Sequence, residues 1–446
     1  MTQILHSYPF DTKLLRTNPK YKFNPCIDAL APAASIRLAE KAKTLAAGGQ
    51  TIFDLTIGEP DFDTPASIKE AAIRAISRNN THYVNGRGIL PLRERIAAKL
   101  REENGIACAP ENILVTPGAK SAIYVAVRTL IGAGDEAIVL DPSWVSYGSI
   151  IQASGGIVRS VELPYDDGHR INLTKLEAAR SDRCRLLIVN SPNNPTGRML
   201  NSGEAQAIAD FASRHKLYVV ADEIYEKIAF DGRPHISLGA IPEIADCVIT
   251  VNGLSKSAAM TGWRVGYLCA DAELVDKMYM LYQHMLTCIS GFAQEAAVVA
   301  FDCAGEIEAM RAAYERRRNL FVESLRNVPG VVCRVPEGTF YSWAYFDHPA
   351  MTSAQICDFL LEEARVASVP GEAYGLGGAH CVRFSLATSE NLLQEAAKRI
   401  GVAVKKVMAQ ETPKLAIPGH GSEKSFRRSA PYPSRPHRRT LSDLSR

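Results

Sequence analysis

Short apolar runs rich in β-branched residues alternate along the chain with stretches of helical periodicity. Six runs read as strands: residues 111–118 (ENILVTPG), 136–142 (EAIVLDP), 184–192 (CRLLIVNSP), 217–225 (LYVVADEIY), 247–256 (CVITVNGLSK) and 263–270 (WRVGYLCA). Between them, segments such as 120–132 and 202–216 repeat their apolar positions at helical spacing. The strand runs are almost continuously apolar, as in strands covered on both faces. This predicts an α/β architecture with a mostly parallel sheet. Residues from about 310 to 408 differ. A long charged helix (EIEAMRAAYERRRNLFVESLRNV) mixes there with short strands (GTFYSWAYF, HCVRFSLA), which predicts a smaller α+β unit. The helix-like segment 35–49 has no sheet of its own and is expected to pack on that unit. The expected organisation is an N-terminal segment 1–57, a large α/β domain 58–305, a small α+β domain 306–408 and a tail 409–446.

Composition places the chain among globular proteins. Of 446 residues, 46% are hydrophobic and 22% charged, which excludes a wholly disordered, collagen-like or disulfide-stapled protein. The formal net charge is only +3, too weak to indicate a nucleic-acid partner. The average conceals a split, because residues 409–446 hold eight basic and three acidic side chains and leave the remainder slightly acidic. Five prolines and few large apolar residues in that stretch predict a disordered basic tail. The ten cysteines form no C-x-x-C pair, so no zinc or redox motif is expected and they read as small buried hydrophobes of a reducing compartment. No apolar run reaches membrane-spanning length. Asp11 and Lys13 interrupt the N-terminal stretch where a signal peptide needs an apolar core. A cytoplasmic protein without a membrane partner or a metal site is the expectation.

Polar residues concentrate where the expected strands end, the side of open α/β sheets where ligands bind. LLIVNSPNNPTG places Asn193 and Asn194 at one end, VVADEIY places Asp222 and Tyr225 at another, and VITVNGLSK places Ser255 and Lys256 at a third. One carboxylate after a strand reads as a helix cap, and one lysine as surface. Three strands delivering amide, carboxylate, phenol and amine to one edge read as a shared site. A lysine against apolar strands loses hydration, which lowers its pKa and makes the amine nucleophilic toward a carbonyl. A buried carboxylate can keep a pyridinium nitrogen protonated. These are the two protein groups that pyridoxal phosphate requires. TPGAK (116–120) opens a helix whose first N–H groups, at Ala119 and Lys120, suit a phosphate; Ser255 and Arg264 flank Lys256 and complete the cradle. GAGDEA (132–137) imitates a dinucleotide fingerprint but follows a helix and precedes a strand, the reverse of what that site needs.

With these residues in place, NSPNNPTG (190–197), ADEIYEKIAF (221–230) and LSKSAAMTGWRVGY (254–267) resemble the signature segments of class I/II pyridoxal-phosphate-dependent aminotransferases of fold type I. The resemblance extends in family order through LTIGEPDFDTP, HYVNGRGILPLRERIA, VTPGAKSAIY, DPSWVSYGSI and VRFSLATSENL, over roughly residues 28–405. PSWVSY and GEPDFDTP are most similar to the bacterial-type aspartate aminotransferase subgroup. The resemblance implies that Lys256 bonds to the cofactor and later carries the substrate α-proton. It implies that Asp222 pairs with the pyridine nitrogen, and that Tyr225 and Asn194 bind the cofactor's phenolic oxygen. Trp144 would stack near the ring, and Ser255, Arg264, Ala119 and Lys120 would hold the phosphate. Tyr83 would reach the phosphate of a neighbouring subunit, which implies a homodimer with shared sites. Arg383 would grip the substrate α-carboxylate and Gly58 would approach it.

The implied activity is a ping-pong transfer of an amino group between an L-amino acid and a 2-oxo acid. Aspartate with 2-oxoglutarate is the first choice, with Lys120 as the candidate for the second carboxylate. Aromatic or other amino acids remain open, as does a C–S lyase or synthase on the same fold. A non-catalytic cofactor-binding protein is disfavoured by the intact catalytic set.

Overall fold

The computed structural model describes residues 23–28, 30, 44, 47–348 and 350–411. Most of the 35–49 segment and residues 412–446 of the tail lie outside the described residues, while 409–411 end the last helix. A short strand β1 (Phe53–Asp54) leads into a seven-stranded sheet. Its strands are β2 (Ile113–Thr116), β3 (Glu136–Asp141), β4 (Ile157–Glu162), β5 (Cys184–Asn190), β6 (Tyr218–Asp222), β7 (Val248–Gly253) and β8 (Gly266–Cys269), in the spatial order β2-β8-β7-β6-β5-β3-β4. Only β8 runs against the rest, pairing antiparallel with both β2 and β7. The fold is therefore α/β with a mostly parallel sheet.

Alternate residues of the central strands feed two separate cores, which explains their continuous apolar character. On β5, Leu186 and Ile188 pack with the Ala119–Leu130 and Ala272–Met285 helices. Leu187 and Val189 face the other way, onto the Ser202–His215 helix. The six expected strands are all present, but they stop short of the turn residues that close each run. β4 is absent from the sequence expectation. It is an edge strand with little buried side-chain area, carries Arg159, Ser160 and Glu162, and so lacks the apolar run that marks its neighbours.

The winding of the sheet reverses between β3 and β5, although the two strands run parallel. β4 lies on the far side of β3, whereas β6 and β7 follow β5 the opposite way. A crevice opens at the carboxyl ends of strands at such a switch point. The segments after β3 and after β5 both enter it.

The second unit is a four-stranded antiparallel sheet, β12-β13-β10-β9, formed by β9 (Val331–Cys333), β10 (Tyr341–Phe346), β12 (Val369–Pro370) and β13 (Cys381–Ser385). The long helices Ala304–Arg326 and Glu390–Glu411 cover it, around Phe321, Phe346 and Phe384. β1 pairs in parallel with β11 (Val366–Ala367), Phe53 opposite Val366, so Thr56 and Gly58 emerge beside this unit. All ten cysteines are free thiols; five are buried and five half-buried, so packing accounts for them only in part. No helix among the described residues is long and apolar enough to cross a membrane.

Candidate active site

A cavity of about 410 Å³ opens over the strand ends. It is lined by Gly58, Ala119, Lys120, Trp144, Asn194, Asp222, Tyr225, Ser255, Lys256, Arg264 and Arg383. Eleven of the twelve residues to which the family resemblance gives a role thus meet in one place. Tyr83 does not line the cavity; it stands on the surface, 84% exposed. Asn193 is turned into its own loop, where Oδ1 accepts hydrogen bonds from the Thr196 N–H (3.1 Å) and Oγ1 (2.7 Å).

Asp222 ends β6 with its carboxylate fully enclosed. Tyr147 Oη donates to Oδ2 at 2.6 Å and the Ile224 N–H to Oδ1 at 3.2 Å. Burial raises the carboxyl to about 6, against the Tyr147 and Ile224 hydrogen bonds that favour its charged form. Lys256 leaves β7 by a short turn and donates from Nζ to the Gly58 carbonyl at 2.5 Å. Burial lowers its amine to about 8; Glu59 opposes that shift and the positive charges of Arg383 and Arg264 add to it. A lysine brought to that range is a usable nucleophile and base near neutral pH.

Arg383 lies within β13 and is only 4% exposed. Its guanidinium donates to the Thr56 carbonyl (2.7 Å) and to Asn194 Oδ1 (3.2 Å), and lies 4.3 Å from the Tyr341 ring centroid. Nε has no partner, and no carboxylate pairs with this arginine among the described residues. A buried guanidinium held by neutral groups alone keeps its attraction for an incoming carboxylate.

The Ala119–Leu130 helix begins at Gly118 without a side-chain cap, so its first N–H groups are available to an anion. Two glycines make this seat possible. Gly266 on β8 lets the helix start lie against the sheet, since a Cβ there would stand 2.4 Å from the Ala119 nitrogen. Gly118, at φ 83°, leaves room for Arg264, whose guanidinium would lie 2.5 Å from a Cβ at that position. Lys120 Nζ sits 4.9 Å from the Trp144 ring centroid, its pKa lowered by burial and then by Arg264.

Several lining residues escape the sequence reading: Thr56, Glu59, Tyr147, Asn190 and Tyr341. Asn190 Nδ2 donates to the Asp222 carbonyl (2.9 Å) and its Oδ1 accepts from the Asn194 N–H (2.8 Å), which locks two strand ends together. Tyr341 and Tyr225 exchange a hydrogen bond of 3.0 Å between their phenols. Tyr147 carried a usable signal, since it follows Trp144 by one helical turn. Tyr341 carried none, because it arrives from the distant small sheet.

Behind Asp222, ligand-type atoms of Glu223, Glu226 and His235 lie within 4.8 Å of one another. Cations already stand there: Lys99 Nζ donates to Glu226 and to Asn104 Oδ1, and His235 bonds Glu223 at 3.0 Å. The cluster is a buried ion-pair network rather than a metal centre.

The Tyr147 contact gives a direct expectation. Tyr147→Phe removes a donor that favours ionised Asp222, so the carboxyl should titrate higher, by roughly one pH unit for one hydrogen bond to a charged group. Carbon NMR of labelled aspartate in the cofactor-free protein measures the midpoint, and an unmoved midpoint would contradict the assigned contact.

Comparison with known proteins accords with this geometry. Residues 50–400 match the family model for aminotransferase class I and II. An aspartate aminotransferase from Geobacillus stearothermophilus is 37% identical over 381 residues, covering 84% of this chain and 96% of the relative. An arginine–pyruvate transaminase from Pseudomonas aeruginosa is also 37% identical, over 81% of this chain and 92% of its own. Among solved structures, the aspartate aminotransferase of Thermus thermophilus with maleate superposes with a TM-score of 0.82 at 37% identity, over 86% of this chain and 100% of that one. A buried amine, a buried carboxylate and an uncapped helix start around one cavity, in a chain matched over most of its length, identify a pyridoxal-phosphate-dependent enzyme: this protein belongs to the class I and II aminotransferases.

Proposed function

We propose that the chain transfers the amino group of L-aspartate to 2-oxoglutarate by a ping-pong mechanism, as a cytoplasmic homodimer. The observation that carries the reading is the enclosure of Lys256, Asp222 and Arg383 in one cavity with a spare cation, Lys120, at its wall.

The residues fit the cofactor. The uncapped helix start, Ser255 and Arg264 form a seat for its phosphate, and the buried Asp222 carboxylate suits a pyridinium nitrogen. Tyr225 and Asn194 present a phenol and an amide to the cofactor's phenolic oxygen, and Trp144 offers an aromatic face. When bound, pyridoxal phosphate supplies the aldehyde that takes up the amino group and a ring that accepts the electron pair left by the α-proton. The protein does the rest. Arg383 holds the substrate α-carboxylate through two parallel N–H donors and, with Gly58 and Asn194, orients the α-carbon toward Lys256. The Lys256 amine removes the α-proton and returns it at the neighbouring position. Burial holds the amine near pH 8, so it can exchange that proton without strong acid or base. Asp222 keeps a negative charge where positive charge must persist.

Substrate choice rests on Lys120. Its ammonium lines the cavity and has no carboxylate partner among the described residues. A dicarboxylic substrate supplies one. Several relatives bear the name aspartate aminotransferase, which supports the same choice, while an aromatic-amino-acid aminotransferase from Thermococcus litoralis, 38% identical, marks the alternative. Lys120→Ala should raise KM for aspartate on the order of tenfold, the worth of one charged contact, and leave KM for a neutral amino acid within about twofold. Equal losses for both substrates would count against an acidic donor.

The dimer reading draws on exposed apolar side chains of two adjoining segments, Tyr83 on one and Met280, Met285 and Leu286 on the other, which meet where the Val84 N–H donates to Cys288 Sγ at 3.5 Å. In that assembly Tyr83 completes the phosphate seat of the other subunit. Sedimentation of the purified protein should give twice the chain mass; a monomer with full activity would exclude shared sites.

A further inference from the structure

Asp141 ends β3 beside the cavity and has no part in the chemistry above. Its carboxyl is only 3% exposed. Ser143 Oγ donates to Oδ1 at 3.0 Å, while Oδ2 has no well-aligned partner. Ser160 on β4 and the Leu376 N–H lie close enough to bias its titration. The carboxyl presses against the 371–378 turn of the small unit. Gly375, at φ 111°, makes this approach possible, because a Cβ there would stand 2.2 Å from the Asp141 carboxyl carbon. The same turn is tied next door, where the Ser143 N–H donates to the Tyr374 carbonyl at 2.8 Å. The Tyr374 ring in turn lies 5.3 Å from the Arg383 guanidinium and packs edge-on against Trp343 at 5.7 Å. One side chain of the large sheet therefore stands between the segment that presents Trp144 and the turn that backs Arg383.

We propose that Asp141 is a positioning residue for recognition of the substrate carboxylate: it ties the 371–378 turn to the end of β3 and so fixes Tyr374 behind Arg383. The inference rests on the reading that Arg383 grips the α-carboxylate. Burial raises the Asp141 carboxyl to about 6, with Ser143, Ser160 and the Leu376 N–H pulling it down and Glu162 on β4 pushing it up. From the turn, Tyr374 is the titratable neighbour, and burial raises its phenol so far that it stays neutral. The Leu376 N–H favours the ionised form, but burial against the turn costs it more, so ionisation above about pH 6 loosens the tie, and the protonated carboxyl below that pH lets the turn pack close.

The holoenzyme tests this with KM for the 2-oxo acid and kcat, both measured from about pH 5.5 to 8. In the parent protein KM should rise several-fold as pH rises through about 6. Asp141→Asn keeps the shape and removes the charge: KM at pH 8 should fall several-fold to the value of the acid side, lose that limb, and change far more than kcat. A purely structural role would lower thermal stability and kcat without altering the KM profile. Ser143→Ala is a milder probe, because loss of a donor to the carboxylate should move the limb to higher pH. Gly375→Ala should raise KM by pushing the turn off Asp141. Arg383→Lys, measured beside these, is the reference. If it raises KM while Asp141→Asn and Ser143→Ala keep the parent profile, the role of Asp141 is overturned. If Arg383→Lys leaves KM unchanged, the reading of Arg383 fails, and this inference fails with it.

Discussion

The site depends on taking three ionisable groups out of water within one space. Asp222 and Arg383 are buried and Lys256 is half-buried, and each is held by groups that do not neutralise it. A carbonyl receives the lysine, a phenol serves the aspartate, and a carbonyl with an amide serves the arginine. Desolvation therefore acts on them unopposed by tight ion pairs, lowering the lysine and raising the aspartate. The contrast lies just behind the cavity, where Lys99 pairs with Glu226 and that carboxyl is held at about 2 despite its burial, chiefly by the lysine's charge. One network is paired and structural. The other is left unpaired, ready for charges that arrive with ligands.

Topology makes this arrangement possible. The sheet reverses its winding between β3 and β5, and the crevice at that reversal receives Trp144 from one side and Asn194 from the other. β6 and β7 add Asp222 and Lys256 at neighbouring strand ends. β8 turns back against the sheet with Gly266, so the Ala119 helix can begin close enough to offer its N–H groups. The small unit closes the crevice with Arg383 and Tyr341 on adjacent antiparallel strands. A site built this way draws on both units, and its substrate clamp depends on how firmly one is held against the other.

The large sheet was legible because its strands are buried on both faces and read as unbroken apolar runs. Lys256, Asp222, Asn194 and Arg264 were legible because polar groups stand out sharply at the ends of such runs, where a buried strand hands the chain to a ligand-facing turn. β4 was not, since an edge strand facing water loses the apolar signature. Tyr341 and the carbonyl of Thr56 were not legible either. Their place in the cavity follows from pairings between segments far apart in sequence, β10 with β13 and β1 with β11, which no local pattern encodes. Tyr83 remains outside the cavity of one chain, and its expected role requires a second subunit.

These groups carry out amino transfer in two separable halves, with aspartate as donor. Mixing the pyridoxal-phosphate enzyme with L-aspartate alone, without any 2-oxo acid, and measuring the keto product isolates the first half. One equivalent of 2-oxo acid per subunit is expected, with matching loss of the absorbance of the lysine-bound cofactor, recovered on adding 2-oxoglutarate. Continuous product formation without an acceptor, or no reaction with either aspartate or glutamate, would contradict it.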